Sequence, residues 1–336
     1  MSILVTGGAG YIGTHTCVEL LKENYEVVVI DNLSNAKKEA LHRVEKIVGK
    51  NIKFYQDTVL DESALEKIFQ ENQIDCVIHF AGLKAVGESV QQPLDYYENN
   101  VIGTISLLKV MKKFNCKNFV FSSSATVYTA ENPILINEDE PVGANNPYGK
   151  TKLFIEYILK DLYASDHNWN IVILRYFNPI GAHPSGLIGE NPSGIPNNLM
   201  PYITQVAIGK LEYLNVFGDD YDTPDGTGVR DYIHVCDLAY GHICAIRKLN
   251  EKPGLVIYNL GNGIGYSVFD LVHTFEKVNH VKIPYQVIAR RPGDIAIYYA
   301  NPSKAEKEIH FKTTRTLEDM CRDSWNFQQK NPKGIM

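Results

Sequence analysis

No stretch of this chain approaches the run of about 18 apolar residues that a transmembrane helix needs, so no membrane span is expected. It has no lysine- or arginine-rich run either. With 33 basic against 39 acidic residues its net charge is −6, which argues against nucleic acid or an anionic membrane surface as partner. The six cysteines (Cys17, Cys76, Cys116, Cys236, Cys244 and Cys321) show no Cys-x-x-Cys spacing and mostly sit in apolar runs. They read as buried, reduced thiols of a cytoplasmic protein. His15, His79, His183 and His234 lack metal-ligand spacing, so no metal is expected. The first residues, Met1 to Thr6, have no basic region and run straight into a strand pattern, so a signal peptide is not expected. Without a secretory route the sequon Asn32-Leu33-Ser34 carries no meaning. There is no internal repeat, low-complexity segment or charge block. What remains is an ordinary globular chain of 336 residues, 44% hydrophobic, long enough for one large domain or two moderate ones.

The first half alternates short β-branched runs with longer helical patterns. Residues 3–6, 26–30, 53–56, 76–80, 119–122 and 171–175 read as buried strands, bounded by Gly, Asp or Ser. Helical patterns cover about 12–24, 62–72, 93–115 and 148–164. This alternation predicts an α/β fold, a Rossmann-type doubly wound parallel sheet covered on both faces. From about residue 178 the texture changes to a loop-rich stretch dense in proline and glycine, followed by apolar segments broken by turn signals. We read residues 1–177 as a dinucleotide-binding domain that also receives segments from the second half. Residues 178–336 read as a smaller mixed α/β substrate domain.

Gly7-Gly8-Ala9-Gly10-Tyr11-Ile12-Gly13 leaves the first strand and opens a helix. Glycine permits the tight turn and lets backbone approach a pyrophosphate, which a helix N-terminus favours; Gly13 lets the helix pack on the sheet. Asp31 ends the second strand, where a carboxylate can accept both ribose hydroxyls of NAD and repel a 2′-phosphate. Gly143 to Thr151 mimics a phosphate-binding P-loop, but its glycines are spaced one residue too far, Pro147 interrupts it, and no strand precedes it.

Ser122-Ser123-Ser124 closes the fifth strand, placing hydroxyls in the crevice where ligands of such sheets bind. Tyr148 and Lys152 are four residues apart and share a helix face. An ammonium beside a phenol favours the tyrosinate, so Tyr148 could act as a base on a sugar or alcohol hydroxyl.

These stretches resemble the extended short-chain dehydrogenase/reductases, and within them the UDP-glucose 4-epimerases. The resemblance runs nearly end to end, through Gly7–Gly13, His79–Ser89, Ser122–Tyr128, Tyr148–Lys152, Arg175–Pro179, Pro196–Pro201 and Gly226–His234. It implies reversible inversion at C4 of UDP-glucose and UDP-galactose, through transient hydride transfer to NAD and a 4-keto sugar. Tyr148, helped by Ser124, would take the 4-hydroxyl proton. Lys152 would hold the nicotinamide ribose and keep Tyr148 acidic. By the same resemblance Gly7, Gly10, Tyr11, Ile12, Gly13, Asp31, Asn32, Asn35, Asp57, Phe80, Ala81, Lys84, Asn99, Ser124, Tyr148, Lys152 and Phe177 would bind NAD. At Asp57 the surrounding Gln56-Asp57-Thr58-Val59 departs from the family pattern. Ser124, Tyr148, Asn178, Asn198, Leu199, Arg230, Tyr232, Arg291, Asp294 and Tyr298 would bind the UDP-hexose, and the bulk of Tyr298 implies exclusion of N-acetylated sugars. A homodimer through the helices near 93–115 and 148–164 is also implied.

A nucleotide-sugar 4,6-dehydratase would carry Asp-Glu right after the catalytic hydroxyl residue, where this chain has Ala125-Thr126. A UDP-glucuronate decarboxylase would need a pocket for the C6 carboxylate, a point on which the sequence is silent. Non-enzymatic dinucleotide sensors of this fold tend to lose the tyrosine–lysine pair, which is present here.

Overall fold

The short β-branched runs assemble into one seven-stranded sheet. In chain order its first members are β1 (Ser2–Thr6), β2 (Glu26–Ile30), β3 (Lys53–Tyr55) and β4 (Cys76–His79). The helices between them are α1 (Tyr11–Lys22), α2 (Lys38–Val48) and α3 (Glu62–Glu71). After β4 come α4 (Val86–Gln91), α5 (Pro93–Tyr96), a π-helical turn (Tyr97–Ile102) and α6 (Gly103–Lys113). Then follow β5 (Asn118–Ser124), β6 (Leu135–Ile136), α7 (Pro147–Ser165), β7 (Asn170–Tyr176) and β8 (Asn178–Ile180). The second half supplies α8 (Leu199–Ala207), β9 (Leu214–Phe217), β10 (Val229–His234), α9 (Val235–Leu249) and β11 (Leu255–Leu260). It closes with β12 (Gly265–Ser267), α10 (Val268–Asn279), β13 (Tyr285–Ile288), β14 (Ile297–Ala300), α11 (Ser303–Ile309) and α12 (Leu317–Lys330). The computed structural model describes residues 1–129, 131–192, 194–291 and 294–336.

The large sheet runs β11-β7-β5-β4-β1-β2-β3, with every pairing parallel. Along each strand alternate residues face opposite layers. Ile3, Val5, Val27, Val29 and Ile78 pack with Cys17 and Val18 of α1 and Leu238 and Ile243 of α9. Leu4, Val28, Ile30 and Val77 pack on the other side with Leu65 and Ile68 of α3, Leu107 and Met111 of α6, and Ile155 and Leu159 of α7. This is the expected doubly wound α/β fold. Strand β11 and helix α9 come from the second half of the chain, yet complete the sheet and one of its helical layers. The remaining elements form two smaller sheets, β12-β10-β14-β6 with β8 beside β10, and a β13–β9 pair, around a third core.

Two stretches differ from the sequence reading. The helix expected over 93–115 is interrupted by the π-helical turn. Helix α2 lies outside the helical stretches expected from the sequence, and Ala40, Leu41 and Val44 bury one face of it. The strand order reverses between β1 and β4, and such a switch point leaves a crevice at the C-terminal strand ends.

Candidate active site

The crevice is floored by the glycine loop. Gly7 has a φ of +69°, and a Cβ there would stand 2.7 Å from the backbone nitrogen of Ala81 on the loop after β4. A Cβ on Gly13 would meet the Gly7 carbonyl oxygen at 2.4 Å. The loop is thus close-packed on itself, and any side chain at these positions would push it out of shape. Helix α1 begins at Gly10 with no side chain capping it, leaving its first N–H groups free to donate. The Asp31 carboxylate, leaving β2, accepts from Ala9 N at 3.0 Å and Leu33 N at 2.8 Å. A carboxylate offers about four acceptor positions, so two remain for ribose hydroxyls. Burial raises the Asp31 pKa, and the two backbone donors pull it back. An uncapped helix start, a cradle that excludes side chains and an acceptor at the end of β2 fit a dinucleotide with a free 2′-hydroxyl.

The loop after β4 and the start of α1 carry further residues expected to bind the cofactor. Ala81 N donates to Thr6 Oγ1 at 3.2 Å, and the Phe80 ring stands 4.8 Å from His242. The Tyr11 hydroxyl donates to the Gly181 carbonyl at 2.6 Å, and Ile12 packs into the core below. Asn99 lies in the π-helical turn, donating to Asn100 at 2.9 Å, while Phe177 is buried in a cluster with Ala125, Tyr128 and Leu153. Asp57 accepts from Thr58 N, and Asn32 accepts from Ser34 N. Asn32 and Asn35 are exposed on the loop after β2, and the contacts of Asn32 are local. Lys84 reaches Glu190 at 3.2 Å.

Helix α7 is set by Asn146, whose side chain accepts from Gly149 N at 2.9 Å, and by Pro147 in its first turn. Tyr148 therefore opens the helix and Lys152 follows one turn later. The Lys152 ammonium is 5% exposed, donates to the Ser122 carbonyl at 2.7 Å and lies 5.0 Å from the Phe121 ring centre. Burial lowers its pKa to about 8. Burial also raises the pKa of Tyr148, and the Ser124 hydroxyl is the group that opposes this. Lys152 thus bonds a strand carbonyl, and burial is the largest influence on the Tyr148 phenol.

A bonded platform lies under these groups. Ser123 donates to Glu156 at 2.6 Å, and Arg175 forks onto both oxygens of Glu156 at 3.0 and 2.6 Å. The pair is almost wholly excluded from solvent, and Arg175 also reaches the Glu138 carbonyl at 2.8 Å. Such a fully bonded buried pair locks β5, α7 and β7 in register. Asn100 adds a second clamp. It exchanges hydrogen bonds with the Leu83 backbone at 2.8 and 3.0 Å and donates to Thr151, whose hydroxyl donates to the Tyr148 carbonyl at 2.7 Å.

The expected UDP-hexose residues come mainly from the second half. Tyr232 of β10 pairs in register with Asn178 of β8, and Arg230 with Tyr298 of β14. Arg230 reaches Asp294 at 3.0 Å, and the Arg291 guanidinium lies 3.8 Å from the Phe217 ring centre. The Tyr298 hydroxyl donates to the Ala125 carbonyl, one residue after Ser124, and its ring packs on Phe177 at 5.4 Å. This contact joins the second half to the strand carrying Ser124. Asn198 and Leu199 start α8, with the Asn198 amide on Glu190 at 2.8 Å. Glu190, Asn100 and Phe217 escaped the sequence reading. Only Asn100, doubling Asn99 before a helix, left any visible trace. Among the described residues no cluster of three or more potential metal ligands occurs, and no helix is long and apolar enough to cross a membrane.

The doubly wound sheet with its glycine loop and its Ser124, Tyr148 and Lys152 crevice is the scaffold of the extended short-chain dehydrogenase/reductases. A family model described as GDP-mannose 4,6 dehydratase matches residues 4–324. The chain is 59% identical over 334 residues to the UDP-glucose 4-epimerase of Bacillus subtilis, covering 99% of this chain and 98% of the relative. It is 57% identical over 340 residues to that of Homo sapiens, covering 99% and 98%. The crystal structure of UDP-glucose 4-epimerase from Bifidobacterium longum in complex with NAD+ and UDP superposes with a TM-score of 0.96. The identity there is 56%, covering 99% of this chain and 100% of that one. The chain belongs to the UDP-glucose 4-epimerase family.

Proposed function

We propose that this chain interconverts UDP-glucose and UDP-galactose by inverting C4 of the sugar. The observation that carries the reading is the meeting of Ser124, Tyr148 and Lys152 with the second-half site, through the bond from Tyr298 to Ala125. Bound NAD supplies a reversible hydride acceptor. Tyr148 takes the proton of the 4-hydroxyl and later returns it, and Ser124 bridges phenol and sugar. Lys152, held by Ser122, orients the nicotinamide ribose. Arg230 and Arg291 meet the diphosphate, since guanidinium forks match its oxygens. Asn178, Asn198, Leu199, Tyr232 and Asp294 complete the nucleotide's cradle. Turnover of the 4-keto sugar in the site would present the opposite face of C4 to the returning hydride, and Tyr148 would return the proton to O4, so the configuration at C4 inverts. The dehydratase chemistry in the family model's description is disfavoured, because Ala125 and Thr126 offer no acid for loss of water.

Two further readings accompany this one. All six cysteines are buried and free, which suits a reducing, cytoplasmic setting. Val86, Val90, Leu94, Ile102, Phe154 and Tyr157 leave an exposed apolar face on α4, α5, the π-helical turn and α7. A second copy of the chain would cover it in a two-fold dimer, which the mass in solution tests. The function itself is tested by incubating the purified protein with UDP-galactose and measuring UDP-glucose without added NAD. Conversion is expected; none, with or without NAD, overturns the reading.

A further inference from the structure

The segment after β8 crosses from the substrate side to the cofactor side, and it is tied down at several points. The Gly181 carbonyl accepts from Tyr11, and the Leu187 carbonyl accepts from Arg43 of α2 at 3.0 Å. Glu190 ends this strap. One of its oxygens, Oε1, accepts both from the Lys84 ammonium at 3.2 Å and from the Asn198 amide at 2.8 Å. Its side chain is only 11% exposed, whereas that of Lys84 is 51% exposed. Glu190 also stands near enough to Tyr11 to raise the pKa of that phenol, after burial. A mostly buried carboxylate bonded to Lys84, expected to bind the cofactor, and to Asn198, expected to bind the UDP-sugar, would repel the anions of both ligands. Its place there is accounted for by the two donors it holds.

From this geometry we propose that Glu190 is a positioning residue that couples the two nucleotide sites, making retention of NAD depend on occupation of the UDP site. The proposal rests on the function proposed above. Asn198 spends one amide hydrogen on Glu190, and among the described residues its other hydrogen and its oxygen have no partner that would compete with a UDP ligand. UDP on Asn198 therefore stiffens Glu190, which fixes Lys84 on the cofactor side. The path runs through two hydrogen bonds sharing one oxygen, so it acts as a unit. Coupling between sites is reciprocal, so NAD tightens UDP by the same factor.

The test measures release of NAD from the NAD-loaded protein after rapid desalting, with and without saturating UDP. Alongside, each preparation is assayed for conversion of UDP-galactose. In wild type, UDP slows release by about 5-fold or more, the usual scale of such coupling. In Glu190→Ala the slowing falls below about 2-fold, while Glu190→Gln, which keeps an acceptor oxygen, retains part of it. Lys84→Ala loses the coupling as well, and adding Glu190→Ala to it changes nothing further. A role in folding alone would lower the melting temperature and leave the ratio with and without UDP intact. An unchanged ratio in Glu190→Ala, or no effect of UDP on wild type, overturns the proposal while the epimerase reading stands on the parallel assay. Wild type that neither holds NAD nor converts UDP-galactose brings down both.

Discussion

At Tyr148 desolvation and hydrogen bonding oppose each other, and desolvation is the larger: the phenol sits above its ordinary value of about 10, with Ser124 pulling it down. Replacing Tyr148 by Phe removes the hydroxyl at nearly constant volume and leaves the Thr151 bond to its carbonyl in place. Tyr148→Phe is expected to keep its fold and its NAD and to lose about 10²–10⁴-fold in kcat, the usual worth of a positioned acid–base group. Circular dichroism, cofactor content and UDP-galactose conversion check this, and wild-type turnover would rule Tyr148 out as the base. The spacing of Tyr148 and Lys152 was legible because i and i+4 share a helix face whatever the rest of the fold does. The partner of Lys152 was not. It is the backbone carbonyl of Ser122, and a carbonyl leaves no mark in a sequence. Glu190 was hidden for a similar reason: it lies in a proline- and glycine-rich stretch, and its partner Lys84 is more than a hundred residues away in the chain.

Among the elements, six of the seven strands of the large sheet were legible because burial on both faces demands continuous β-branched runs, while β11, which arrives from the second half, was not. Helix α2 was obscured by its charges, since three apolar residues suffice to dock it. The break between α5 and α6 was obscured because a π-helical turn keeps helical composition, and its reason is tertiary: Asn100 is turned onto Leu83 and Thr151. Strand β14 is two steps removed from anything periodic, yet it carries Tyr298, the residue expected to set sugar specificity. Its register with β10 sets Tyr298 opposite Arg230, and the bonded hydroxyl together with the Phe177 contact pins the ring at both ends. A pinned ring cannot swing aside for an N-acetyl group. Turnover of UDP-N-acetylglucosamine is therefore expected to be weak or absent beside that of UDP-glucose. Comparable rates for the two sugar classes in one coupled assay would contradict this reading of Tyr298.

Across the whole molecule, the second half returns to add β11 and α9 to the first sheet, so the two halves are tied through that core and should unfold together. That shared core holds buried histidines on both of its faces. Burial lowers His15 and His79 to about 3 and His242 to about 4. Each ring is placed as a neutral hydrogen-bonding group: His79 between Thr6 and Thr104, His242 against Tyr176 and the Leu238 carbonyl, His15 on the Tyr11 carbonyl. In the unfolded chain the same rings titrate at about 6.5. Below that value the unfolded state binds protons that the folded state refuses, so stability present above about pH 6.5 is lost as the pH falls toward these folded values. Asp231 acts in the opposite sense. Its carboxyl is raised to about 6 by burial, so the folded state takes up its proton first and offsets one histidine. Two uncompensated protons near pH 5 correspond to a loss of roughly 3 kcal/mol per pH unit as an upper figure. Urea midpoints measured from pH 7 to pH 4 should therefore fall steeply below about pH 6. A flat or rising profile would mean that these rings are reached by solvent, and that the core at the switch point is looser than their hydrogen bonds require.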